Sequence, residues 1–78
     1  MERTAQQEEL KAHLMATSEE FRRLAAQHSE YAHRLDDLET HLHLTNDEEL
    51  EETRLKKLKL RVKDQMEAIM VEYRAQHV

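Results

Sequence analysis

From Phe21 onward the chain alternates apolar and polar positions with a helical period. Phe21, Leu24, His28, Tyr31, Leu35, Leu38 and Leu42 follow one another at steps of three and four, an unbroken a/d seam over residues 18–42. A second stripe, Leu55, Leu58, Val62, Met66, Ile69 and Tyr73, averages the 3.6-residue period over residues 46–76 and leaves strict heptad register after Val62. Ahead of both, Leu10 and Leu14 lie four apart with Met15 beside them, which predicts a short, weakly amphipathic helix over residues 1–16. Leu50, Leu60, Met70 and Val71 fall off the second stripe and are candidates for a contact beyond the hairpin.

The breaks between these stretches carry start signals. Thr45 with Glu48 has capping-box spacing: the hydroxyl accepts from one amide while the carboxylate reaches back to the other. Asp47, Glu48, Glu49, Glu51 and Glu52 crowd the next two turns, where negative charge opposes the helix dipole. The chain therefore turns at residues 43–45. Thr17 and Glu20 repeat the spacing and predict a boundary at residues 16–18, with Phe21 stapled against Ala16. Glu19 and Glu30 precede Arg23 and Arg34 by four residues, the favourable order for exposed pairs.

At about 1.5 Å per residue the two long helices span about 37 and 46 Å. Folding about the turn brings Val62 toward Ala26 and Tyr73 toward Met15. The fold expected is all-α: residues 1–78 form a single coiled-coil-like antiparallel helical hairpin with a short N-terminal helix. Two thin stripes bury little surface against the entropy of ordering so many residues, so self-association, as a homo-oligomer, is expected.

Composition narrows the chemistry. Glycine, proline and cysteine are all absent, which excludes glycine-rich phosphate cradles, proline-rich linkers, disulfides and thiolate metal sites. No stretch of 18 apolar residues and no signal-peptide run occurs, so neither a membrane span nor export is expected, and the setting expected is cytoplasmic. The net charge of −5 disfavours general attraction to nucleic acid or anionic lipid. Six histidines bring that charge close to zero as pH falls through about 6.5.

Positive charge is nevertheless concentrated. Arg54, Lys56, Lys57, Lys59, Arg61 and Lys63 are six cations within residues 54–63, and with Leu60 they form the candidate partner-binding band. With Leu55 in the seam, Arg54, Lys59 and Arg61 flank it while Lys56, Lys57 and Lys63 point outward. An acidic protein surface suits the band better than nucleic acid, because acidic runs at 36–39 and 47–52 lie nearby and no aromatic stacking platform accompanies it. Pairing between the acidic turn end of one copy and the band of another is the electrostatic route to oligomers. A centred antiparallel dimer is expected to set basic beside basic, so an offset dimer or higher oligomer is the form electrostatics favours.

No catalytic constellation emerges. His33 and Asp37 share a helix face without a nucleophile, and Ser18 and Ser29 have no glycine elbow or oxyanion loop. His41 and His43 bracket the turn, with Asp47 and Glu48 near enough to complete a zinc or nickel site, and a pH- or metal-responsive oligomer through the two histidines is a third reading; a histidine-x-histidine pair is a weak signal, and we assign no metal or cofactor. His28, in the seam, is a candidate for fixing register.

The run Arg54-Leu-Lys-Lys-Leu-Lys-Leu-Arg-Val-Lys-Asp64, with Phe21-Arg-Arg-Leu24, the His28 to Leu38 segment and Leu44-Thr-Asn-Asp-Glu-Glu49, resembles the YdcH-like family of small bacterial proteins, a domain of unknown function. The likeness covers roughly residues 18–73, and Leu58 stands where that family more usually has a polar residue. It implies a short bacterial, cytoplasmic helical hairpin with no established catalytic residues. The function expected is a non-enzymatic, oligomerising protein-interaction module presenting the basic band; the alternative is an RNA- or DNA-associated accessory protein using the same band.

Overall fold

The computed structural model describes residues 2–76, with side chains from Gln6 onward, as three helices: α1 (Glu2–Thr17), α2 (Glu19–Glu39) and α3 (Asn46–Gln76). The α2 and α3 helices form the antiparallel hairpin, and α1 folds back beside the C-terminal half of α3. No strand occurs among the described residues, and none of their helices is long and apolar enough to cross a membrane.

The first boundary is capped one residue later than the spacing predicts. Ser18 leaves the helical region (φ −113°, ψ 113°), and its hydroxyl accepts from the Phe21 amide at 3.1 Å. Thr17 remains helical, so its hydroxyl donates back to the His13 carbonyl at 2.8 Å and cannot cap. Nor does Phe21 staple to Ala16, which is exposed. The bend at Ser18 swings α1 over α3, and Phe21, 1% exposed, packs with Leu14 and Met70.

The second boundary also departs from expectation. Helix α2 ends at Glu39 rather than 42, because the backbone amides of Thr40 and His41 donate to Asp36 and Leu38 while the Thr40 hydroxyl takes the Asp37 carbonyl. With no glycine to supply a left-handed cap, Thr40 closes the helix at φ −77°, ψ −13°, and the turn occupies residues 40–45. Leu42, the last seam position by spacing, is consequently 93% exposed. Leu44 takes its place, half-buried against Leu35, Leu38 and Leu55.

The α3 start forms as its sequence dictates: Glu48 N–H donates to Thr45 Oγ1 at 3.1 Å, and Thr45 N–H donates to Glu48 Oε1 at 3.0 Å. The bond from the Thr45 amide, followed by the Thr45 side chain, holds the Glu48 carboxyl below the usual carboxylate range. Arg34 does not pair with Glu30; it forks across the hairpin onto both carboxylate oxygens of Glu51, at 2.9 and 2.7 Å, tying α2 to the first turns of α3.

Two apolar clusters hold the fold. One lies near the turn (Leu35, Leu38, Leu55) and the other where α1 meets α3 (Leu14, Phe21, Met70), with Val62 buried between them in sequence. Leu58 is half-buried on the inward stripe. Met70, expected outside that stripe, is only 4% exposed. Two helices rather than one pack against α3 at that level, so its inward face widens.

Candidate functional site: a basic groove along α3

The molecule measures 49 × 25 × 17 Å, and its thin dimension is about one and a half times the 10–12 Å diameter of one helix. A bundle this thin leaves each helix with an uncovered face. On α3 that face forms one wall of a groove of about 860 Å³ running from Glu39 to Gln7.

The groove divides the basic band. Residues at steps of three and four share a helix face, so Lys56, Lys59 and Lys63 form one row and line the groove with Leu60. Arg54, Lys57 and Arg61 form a second row that does not line it. Lys59, expected beside the seam, is half-buried at the groove edge, while Lys56 and Lys63, expected to point outward, are exposed along the groove.

Three further features were not legible in the band. Lys11 reaches the groove from α1, while His28 and Leu35 line it from α2. Beyond Lys63, the lining continues along α3 through Met66, Glu67, Met70, Val71 and Arg74. Extending the i, i+3/i+4 row from Lys56 would have found these α3 residues; the position of Lys11 depends on the bend at Ser18. The result is an apolar strip, in which Leu60 and Val71 are each 59% exposed, bordered by cations and interrupted by Glu39 and Glu67.

The electrostatics of the groove register on His28. Its partial burial, then the charges of Lys59, Lys63 and Lys11, push its imidazole below the ordinary value of 6.5. It therefore contributes a neutral ring among three lysines. Lys56 has an i, i−4 partner in Glu52 at 3.3 Å, a pair that leaves the Lys56 side chain 61% accessible.

At the turn, His41 Nδ1 lies 3.4 Å from Glu48 Oε2. Among the described residues no group of three or more His, Cys, Asp or Glu side chains could hold a metal ion. Ser18 is engaged as a helix cap.

The chain matches the model of the DUF465 family, described as a protein of unknown function, over residues 21–70. No curated protein and no solved structure matches it.

Proposed function

The chain belongs to the DUF465 family, which includes YdcH-like small bacterial proteins of unknown function, and from the chemistry of its groove we propose a non-enzymatic protein-interaction module. On this reading it self-associates and presents the basic face of α3 to acidic helices with apolar anchors. A bacterial cytoplasmic setting goes with that reading, supported by the family and by a sequence without cysteine.

One observation carries the proposal: Leu60 and Val71, exposed and three turns apart, share a groove with Lys56, Lys59 and Lys63. An amphipathic helix laid along it would bury its apolar residues on the strip and place flanking carboxylates against the lysines. Nucleic acid suits the groove less well. Glu39 and Glu67 interrupt its wall, while Phe21 is buried and Tyr31 and Tyr73 pack into the two clusters, leaving no aromatic platform for bases.

The test compares the two basic rows. A synthetic helix with leucines at i, i+4 and i+7 and glutamates alongside is titrated into the isotope-labelled protein, and amide shifts are followed. Shifts confined to the groove, lost in Lys56→Glu with Lys59→Glu but kept in Lys57→Glu with Arg61→Glu, support the module. A duplex or single-stranded oligonucleotide that binds instead, weakened alike by both double variants and steeply by salt, would establish the nucleic-acid alternative.

A further inference from the structure

We infer that the occupant of this groove is α3 of a second copy of the chain, lying antiparallel, with Lys56 opposite Glu67 and Glu49 opposite Arg74. The inference rests on the self-association in the interaction-module reading and gives that association a geometry. It begins from the order of charges along the ridge of α3. Glu49, Lys56, Lys63, Thr53, Leu60, Glu67, Val71 and Arg74 recur at steps of three, four and seven and so lie along one side of the helix.

Read from Glu49 to Arg74, that ridge is acidic, polar, basic, apolar, basic, acidic, apolar, basic. Reversed against itself it is complementary. Glu49 meets Arg74, Lys56 meets Glu67, Thr53 meets Val71, and Leu60 meets the aliphatic stem of Lys63. The two-fold axis passes between residues 61 and 62, so every such pair occurs twice. The two copies of Leu60 flank the axis. Each Lys63 covers the facing Leu60 with its methylenes and carries its ammonium toward water.

Other arrangements lose this match. Parallel pairing in register sets Lys56, Lys63 and Glu67 each against its own copy. An antiparallel slip of one turn in one direction brings Lys56 opposite Lys63; in the other it sets Lys56 opposite Val71. The two Lys63 groups repel near the axis, the feature that makes a centred dimer look unfavourable from the basic band alone. The charged residues farther out, Glu67 by one turn and Glu49 and Arg74 by three, reverse that balance. All the residues of the ridge named here are exposed in the single chain, so none must leave a packed position to form the pair.

The test is a charge swap read by sedimentation equilibrium on the full chain. Lys56→Glu and Glu67→Lys each set like charges opposite one another at two symmetric places and are expected to raise the dimer Kd about tenfold. The double variant Lys56→Glu with Glu67→Lys exchanges the signs and is expected to return Kd to within about threefold of native. Leu60→Asp is expected to abolish the dimer. Circular dichroism checks that all four variants keep their helix content. A double variant no tighter than the singles overturns the register. If Leu60→Asp still abolishes the dimer in that case, the groove remains an interaction surface and the broader reading stands. A dimer indifferent to Leu60→Asp overturns both. A native chain that stays monomeric to millimolar concentration overturns this pairing together with self-association, while helix binding by the groove is decided separately by the titration above.

Discussion

The phenolic oxygen of Tyr73 lies 2.9 Å from Nε2 of His13, with the two rings 5.2 Å apart and tilted by 52°. This contact joins the C-terminal part of α3 to α1, where the pattern along the chain had directed Tyr73 toward Met15. It lies beside the Leu14, Phe21 and Met70 cluster, against which Tyr73 also packs. Replacing Tyr73 with Phe removes the hydroxyl but keeps the ring, and is expected to cost about 0.5 kcal/mol at this exposed site. Tyr73→Ala also removes the packing and is expected to cost about 2 kcal/mol in urea denaturation. Equal losses from both variants would assign the stabilisation to the hydroxyl alone.

The turn end offers a sharper contrast. Leu38 is 0% exposed and Leu42 is 93% exposed. Leu38→Ala is expected to cost about 2–5 kcal/mol, enough to lower helix content at 25 °C in so thin a fold, whereas Leu42→Ala is expected to stay within about 0.5 kcal/mol of native. Leu44→Ala should fall between them. Thermal melts followed at 222 nm check the order, and a large loss at Leu42 would contradict the early end of α2.

The helix starts provide a third comparison. Ser18→Ala and Thr45→Ala each remove a capping acceptor and are expected to cost about 1 kcal/mol. Thr17→Ala removes only a hydroxyl bonded within its own helix and is expected to be nearly neutral. Were Thr17 the costlier of the two N-terminal positions, the cap would lie there after all.

Acid should act in two stages. His28 has its folded pKa depressed below 6.5, so the folded chain resists binding a proton that the unfolded chain accepts. Its contribution is complete above about pH 6.5 and declines as pH falls below that value. Glu48 and Glu51 are also depressed, by hydrogen bonds from Thr45 and Arg34 respectively. Their contributions are complete above 4.5 and are lost as pH falls through the folded values. His28→Gln is expected to flatten the pH dependence of urea stability below about pH 6.5 while leaving the lower stage in place; an unchanged profile would remove His28 from that role.

Much of the architecture was legible because it is written in short-range terms. The Thr45–Glu48 reciprocal cap needs only residues three apart, and both of its bonds form. The seam from Phe21 through Leu35 to Leu38 needs only helical periodicity, and these three positions are buried. The candidate band was recognisable as a concentration of charge, but not as two rows with different surroundings.

What the chain by itself determined, then, was three helices, the cap that opens α3 and the apolar seam of the hairpin, since each follows from hydrogen bonds and side-chain spacing within a turn or two. Tertiary structure alone decided that Leu44 replaces Leu42, that Met70 is buried, and that Lys11 and His28 join Lys56, Lys59 and Lys63 around one groove. Those outcomes depend on the angle of the bend at Ser18 and the path of residues 40–45. Local caps fix where the chain bends, but what the bends bring together depends on contacts between residues far apart, such as Leu14 with Met70, which no local period encodes.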